Sequence, residues 1–589
     1  MNIEQQLQND ISKALKTLFE EEGEVILQPT RKDFEGTYTF VVFPLVKKLR
    51  KKPVEIGEQL GNYLVENSTI IAGFNVVQGF LNLVLAESIW SDLFNSQLAD
   101  NGDFENKNAS VLVEFSSPNT NKPLHLGHLR NNFLGASVSE ILKTNGYDVS
   151  KVCLVNDRGI HICKSMIAYQ LFGNGETPES AGIKGDHLAG KYYVAFDKAY
   201  KAEIADLIAA GQSEDDAKKN APLMKEAQAM LLKWEAGDSE VVALWKKMNT
   251  WVYDGFNATY KKIGVSFDKT YYESDTYVLG KDIVDEGLEK GVFFKKEDNS
   301  VWIDLTEEGM DEKLVLRGDG TSVYITQDLG TTELKFKDYG SEKAIWVVGN
   351  EQDYHFKVLF AILKKLGRKY ADGCYHLSYG MVDLPTGKMK SREGTVVDAD
   401  DLVAEMIATA KASTEEKGKV DSFTDSEKEE LFEMLALGAL KYFLLKVEPK
   451  KRMQFNPAES IDFQGNTGPF IQYTHARIKS ILRKAASEGI STPTKIEAVE
   501  MASIETDLVY LLGEYKNSVD KAAADFAPSV VANYCYDLAK TFNSFYGELS
   551  VMNETDLAKR DFRLALIQQV AQTLKNGMKL LGIDVPERM

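Results

Sequence analysis

Apolar residues recur at helical spacing near the start of the chain (Ile11, Leu15, Leu18, Phe19). Short apolar runs follow, Tyr38-Thr-Phe-Val-Val-Phe and Gly79-Phe-Leu-Asn-Leu-Val-Leu. That succession predicts a small α+β domain, closed by the polar stretch 101–108. A continuous apolar strand comes next, Ser110-Val-Leu-Val-Glu-Phe, then a polar loop and a helix from about Leu126 to Thr144 with Leu129, Phe133, Leu134, Val138, Ile141 and Leu142 on one face. Asn145-Gly146 ends that helix, and Lys151-Val-Cys-Leu-Val-Asn-Asp reads as a second strand. The unit is strand–helix–strand of the Rossmann kind.

From about 165 to 300 the pattern is helical and charged, with long stretches at 191–207 and 221–262, and reads as an insertion between two halves of a sheet. Strand and helix alternation resumes at Val301-Trp-Ile-Asp-Leu, Val323-Tyr-Ile-Thr and Ala344-Ile-Trp-Val-Val. Beyond about 400 a period of 3.6 residues dominates, which predicts a helical bundle. At 589 residues the chain exceeds what one core holds, about 250 residues. The expected division is 1–107, 108–400, a helical connector 401–459 and a helical domain 460–589.

Composition adds exclusions. No stretch approaches the ~18 apolar residues of a membrane span, and the opening MNIEQQLQND lacks an apolar targeting region, so the expected location is the cytoplasm. Four cysteines (Cys153, Cys163, Cys374, Cys535) form no CxxC pair, which leaves neither a disulfide framework nor a structural metal site indicated. The net charge of −19 argues against a protein coated in nucleic acid, but basic clusters at 47–52 and 450–452, the latter followed by Arg477, Lys479, Arg483 and Lys484, allow local patches.

The sharpest local signal is His125-Leu-Gly-His128, between the first strand and its helix. With 7 His and 43 Gly in the chain, a random HxGH is expected about 0.006 times. Two imidazoles at a helix N-terminus can donate to phosphate oxygens where the dipole already favours an anion. A glycine between them lets a nucleotide approach bare backbone. The plainer reading is a pair of hydrogen-bonded loop histidines. Gly185-Asp-His-Leu-Ala-Gly-Lys191 imitates a phosphate-binding loop, but Tyr192 stands where Ser or Thr is required and no strand precedes it, so it is set aside.

Around HxGH the segment Ser116-Ser-Pro-Asn-Thr-Asn-Lys-Pro-Leu-His-Leu-Gly-His-Leu-Arg130 resembles the extended signature of arginyl-tRNA synthetases, within class I. The resemblance implies a Rossmann-type catalytic core with a helical insertion, a small N-terminal α+β domain and an all-α anticodon-binding bundle. It implies that His125 and His128, with Lys122, contact the phosphates of Mg·ATP, and that Pro118, Gly127, Met381 and Val382 line the nucleotide. The second class signature falls at Lys388-Met-Lys-Ser-Arg392, where Ser391 takes the place of a lysine. Lys388, Lys390, Ser391 and Arg392 are therefore expected at the triphosphate.

A planar guanidinium substrate wants fixed carboxylates that accept parallel hydrogen bonds. The family's arginine site matches Asp328, with Tyr324 one helical turn earlier, and Glu273. Asn119 and Gln352 match its α-amino end, and Glu114 and Ser117 are further carry-overs. Read alone, Asp328 is a turn residue in a strand-end loop, and its role as a ligand comes from the resemblance. Gly465-Asn-Thr-Gly-Pro-Phe-Ile-Gln-Tyr-Thr-His-Ala-Arg-Ile resembles the start of the anticodon-binding bundle, and Leu580-Leu-Gly-Ile-Asp-Val-Pro-Glu-Arg-Met589 its ending. Phe470, Tyr473 and Arg477 suit unstacked bases, and Phe80 and Asn82 match the N-terminal region that meets the tRNA elbow. The expectation is an ATP-dependent ligase that joins L-arginine to tRNA(Arg), monomeric, with no bound metal beyond the Mg²⁺ of its substrate. A small-molecule nucleotidylyltransferase and a tRNA-binding paralogue without catalysis are the rivals.

Overall fold

The computed structural model describes residues 3–31, 33–100, 102–383, 397–416 and 423–589. The chain forms two compact units: one comprises Phe104–Arg477, Lys516–Asp537 and Leu574–Met589, the other Met1–Asp103, Ile478–Tyr515 and Leu538–Thr573.

The larger unit is organised by a five-stranded sheet. Its strands are β1 (Ser110–Glu114), β2 (Asp148–Val155), β3 (Lys269–Tyr272), β4 (Lys343–Gly349) and β5 (Cys374–Tyr379), in the order β5-β4-β1-β2-β3, and every pairing is parallel. A parallel sheet is covered on both faces, and the apolar runs show it: Val111, Leu112 and Val113 are buried, as are Ala344, Ile345, Trp346 and Val347. The chain proceeds outward from β1 to β3, then returns to build β4 and β5 on the other side. The reversal opens a crevice at the carboxyl ends of β1 and β4, where such sheets bind ligands. The HxGH helix, Leu126–Thr144, starts beside that crevice and is ended by Asn145 and by Gly146 at φ +94°.

Two expectations about this unit need correction. Val323-Tyr-Ile-Thr is not a strand but the entry to the helix Tyr324–Tyr339. The Val323 N–H donates to Thr326 Oγ1 at 3.1 Å, the reciprocal bond of a helix start, and Ile325, Leu329 and Phe336 are buried along the helix. Val301–Ile303 is a strand, but in a separate three-stranded antiparallel sheet with Phe294–Lys295 and Lys313–Leu316. The main sheet is instead completed by β3, inside the stretch expected to be insertion, so the helical part between sheet strands ends at Ile263.

The smaller unit holds an antiparallel sheet in the order Leu27–Pro29, Tyr38–Val41, Phe80–Leu85, Ile71–Val77. Its sequence neighbours and the helical segments from the C-terminal third share one core. Phe94 packs edge-on against Phe562 at 5.5 Å between centroids, and Tyr38 against Tyr510 at 5.6 Å. Among the described residues no helix is long and apolar enough to cross a membrane.

Candidate active site

After β1 the backbone turns at Ser116, a non-glycine residue at φ +60°. Its N–H donates to Asn131 Oδ1 at 2.6 Å and its hydroxyl meets Tyr260 Oη at 2.7 Å, which hold the turn in an otherwise unfavourable region. The chain then runs alongside the end of β2, with Thr120 N–H on the Asn156 carbonyl and Asn156 N–H on that of Pro118. That extension carries Lys122 to His125 to the mouth of the helix.

His125 is the N-cap. Its Nδ1 accepts the Gly127 N–H at 3.1 Å, while His128 Nδ1 accepts the His125 N–H at 3.1 Å, and the rings lie 3.9 Å apart. Burial, reinforced by the charge of Lys122, lowers His125 to about 3, and burial with the charges around it takes His128 well below the ordinary range. Both imidazoles are therefore neutral at physiological pH. With Nδ1 occupied as an acceptor, the ring proton of each sits on Nε2, so two N–H donors stand at the positive end of a 19-residue helix. Gly127 suits the turn as well: a Cβ there would come 3.0 Å from the His125 ring and press on it. A cavity of about 530 Å³ opens against Lys122 and His125, walled by His187, Tyr193 and Val194 of the helix Gly185–Ala209 and by Asp398. The imitation phosphate loop, Gly185 to Lys191, is the start of that helix.

Residues 397–399 lie against the same entry, with Leu126 N–H on the Val397 carbonyl and Ala399 N–H on that of Leu124. Lys388, Lys390, Ser391 and Arg392 fall outside the described residues. Asp186, His187 and Asp400 gather oxygen and nitrogen donors, but Lys184 Nζ already bonds Asp400, lies 3.4 Å from Asp186 and donates to Thr259, so an ammonium fills the place of a cation.

The other expected ligands gather where the parallel strands end. Ser117 is exposed and Asn119 half-buried after β1, with Pro118 buried between them. Glu273 directly follows β3, Gln352 lies in the short turn after β4, and Met381 and Val382 follow β5. Glu273 is pushed up to about 7, chiefly by burial, with Asp157 and Asp328 adding to the rise and Arg158 opposing it. Asp328 lies 2.5 Å from His355 Nε2, on the helix whose first residue, Tyr324, is 78% exposed. The charge of Asp328 thus reaches Glu273, and a cationic ligand bound between them would relieve it.

Two carried-over residues do not present themselves to a ligand. Glu114 is buried at the end of β1 and ion-paired with buried Lys335, so its carboxylate already holds a cation. Asn82 is 1% exposed, accepts from Thr39 at 2.6 Å and donates to Asn75 at 2.7 Å, so its amide faces the sheet interior. Phe80 beside it is half-buried, edge-on to exposed Phe43. Phe470, Tyr473 and Arg477 form a half-exposed stripe on the helix Gly468–Ser487, with the guanidinium 4.8 Å over the Tyr473 ring and Phe470 against Tyr536.

Sequence reasoning missed three neighbours. Asp157 is buried after β2 and accepts from Tyr253, from the Ser274 hydroxyl at 2.7 Å and from its backbone N–H at 2.8 Å, fixing the residue next to Glu273. Arg158 lies 3.9 Å over the Tyr277 ring. His355 anchors Asp328. The polar run Asn156-Asp-Arg at a strand end was the available signal for the first two.

Known proteins match this chain along its length. The model for the class I (R) tRNA synthetase catalytic domain matches residues 91–456, that for the DALR anticodon binding domain 471–589, and that for the arginyl tRNA synthetase N terminal domain 2–85. This chain belongs to the arginyl-tRNA synthetase family. Within that family, the arginine–tRNA ligase of Bacteroides thetaiotaomicron is 55% identical with all of both chains covered, and that of Flavobacterium psychrophilum 54% identical, again over the whole of each. Among solved structures, the Thermus thermophilus arginyl-tRNA synthetase superposes with a TM-score of 0.80 at 27% identity, covering 99% of this chain and 100% of that one. The Plasmodium falciparum family member, at 20% identity and a TM-score of 0.76, shares the fold.

Proposed function

We propose that this chain attaches L-arginine to its cognate tRNA in two ATP-dependent steps. The observation that carries the reading is the pair of neutral His125 and His128 donors at the helix N-terminus, and the mutually interacting Glu273 and Asp328 supply the carboxylates for a guanidinium. In the first step a carboxylate oxygen of arginine attacks the α-phosphorus of Mg·ATP, the bond to the β-phosphate bridging oxygen breaks, and pyrophosphate leaves with its electron pair. The two Nε2–H groups and Lys122 stabilise the oxygens of the five-coordinate phosphorus, an electrostatic role that requires no proton transfer. In the second step the 2′-hydroxyl oxygen of the terminal adenosine attacks the adenylate carbonyl, the ester C–O bond forms as the anhydride bond to phosphate breaks, AMP leaves with that bond's electron pair and the hydroxyl proton passes to the departing phosphate or to water.

Asp328 and Glu273 accept from the guanidinium, with Tyr324 beside them, while Asn119, Ser117 and Gln352 serve the α-amino end. Pro118, Gly127, Met381 and Val382 line the nucleotide, and Lys388, Lys390, Ser391 and Arg392 complete its triphosphate contacts. Phe470, Tyr473 and Arg477, with Phe80, meet tRNA, within a division at 1–107, 108–400, 401–459 and 460–589. The enzyme is placed in the cytoplasm as a monomer, and Mg²⁺ enters with ATP. Arginine-dependent ATP–pyrophosphate exchange tests the reading: exchange with arginine alone among the amino acids supports it, and exchange with another amino acid, or charging of tRNA with one, contradicts it.

A further inference from the structure

The residue that ends the HxGH segment has a geometry unlike that of an ordinary helix arginine. Arg130 is 1% exposed, and its guanidinium donates only to backbone carbonyls: Nη1 to Gly380 at 2.7 Å and Met381 at 3.4 Å, Nη2 to Pro449 at 3.1 Å and Lys451 at 2.9 Å. No carboxylate pairs with it among the described residues. Taking a charge out of water without a counter-ion is expensive, and a Met or Leu of similar volume would fill the space at lower cost. Burial lowers its pKa to about 10, which leaves it charged at neutral pH. Four carbonyl dipoles take the place of the anion.

The four carbonyls belong to two segments distant in the chain. Gly380 and Met381 follow β5, and Pro449 and Lys451 precede the short strand Met453–Gln454 that pairs with Val382–Asp383. The segments are also tied directly, Gly380 N–H to the Pro449 carbonyl at 2.9 Å and Met453 N–H to that of Met381 at 3.1 Å. At Gly380 a Cβ would come 2.6 Å from the Arg452 nitrogen, so the approach admits no side chain. The next residue along the helix does the same for the other strand ends: Asn131 accepts from Ser116 N–H and donates to the Val347 carbonyl at 2.7 Å.

We infer that Arg130 is a positioning residue that fixes the Gly380–Met381 backbone relative to the phosphate-binding end of its own helix, and so sets the nucleoside end of the ATP site. The inference rests on the nucleotide reading given above, in which Met381 lines the nucleoside. His128 and Arg130 ride on one helix two residues apart, so any drift of Gly380–Met381 changes the separation between phosphate and base contacts. A displacement near 1 Å costs up to about a hundredfold in a well-aligned site.

The test compares Arg130→Lys and Arg130→Met with the unaltered chain, by steady-state exchange kinetics and by calorimetric binding of Mg·ATP. The expected result is a KM for ATP raised about tenfold or more in Arg130→Met and less in Arg130→Lys, with the KM for arginine within about twofold. A merely space-filling role predicts lower thermal stability and less active enzyme with both KM values and the ATP affinity unchanged, and that result overturns the inference. If Arg130→Met does not fold, Arg130→Lys decides on the same split. An unaltered chain that binds ATP yet shows no arginine-dependent exchange with total tRNA present contradicts the function proposed above, and the ATP affinities of the variants still decide the role of Arg130.

Discussion

The two sides of the crevice handle charge in opposite ways. At the HxGH end, the α-phosphate is to be met by neutral groups, two imidazoles held below their ordinary range, backbone and the helix dipole, with Lys122 nearby and the proposed cations Lys388, Lys390 and Arg392 on the rest of the triphosphate. At the Asp328–Glu273 end, a cation is to be met by carboxylates, one of which is itself unsettled near neutral pH. The difference teaches which side responds to pH. Donors that are neutral from pH 5 to 8 give a constant phosphate site, whereas a carboxyl poised at about 7 makes arginine recognition depend on the solution until the guanidinium arrives.

The largest effect is expected from breaking the neutral side. His125→Ala removes a donor aimed at developing charge, and arginine-dependent exchange should fall by ~10²–10³, with the KM for arginine changed little. A loss smaller than threefold, about 0.6 kcal/mol, would contradict the role given to that imidazole. Breaking the carboxylate side should give the reverse signature. Asp328→Ala is expected to raise the KM for arginine by about ten- to a hundredfold, the worth of charge-assisted hydrogen bonds, and to leave the KM for ATP near its original value.

The pH dependence sharpens the contrast. Glu273 has a raised pKa, so its carboxyl is protonated below about 7 and ionised above it. Guanidinium binding needs the ionised form, so kcat/KM for arginine should rise by about tenfold from pH 6 to pH 8. Glu273→Gln should flatten that rise, and a limb of equal size in that variant would place the titration elsewhere. The smallest effect is expected away from the crevice: Tyr473→Ala or Arg477→Ala should raise the KM for tRNA by about tenfold or less, the worth of one stacked base, with the KM values for ATP and arginine unmoved.

The same contrast explains what could be read along the chain. His125, Gly127 and His128 are contiguous, and their chemistry is local to one helix end, so the sequence carried both their place and their role. The guanidinium side is assembled from β2, β3 and the helix Tyr324–Tyr339. Asp157, Arg158 and His355 enter it only through strand order and helix packing, which no local pattern encodes. Val323–Thr326 misled because β-branched residues at a helix entry look like a strand until Thr326 is seen bonding back to the Val323 N–H. Lys269–Tyr272 was hidden by its length, four residues soon after a 25-residue helix. Asn82 is a different case: the resemblance gave a position in the chain, and only the sheet shows that its amide turns inward to Thr39 and Asn75.

The most direct test of this division of labour is ATP–pyrophosphate exchange by the purified chain, with arginine and each other amino acid, with total tRNA present and again after ribonuclease treatment, across pH 6 to 8. The account predicts exchange with arginine alone, with an arginine KM that falls as the pH rises through about 7 and an ATP KM that stays level. Exchange with any other amino acid, or a pH dependence carried by ATP rather than arginine, would contradict it.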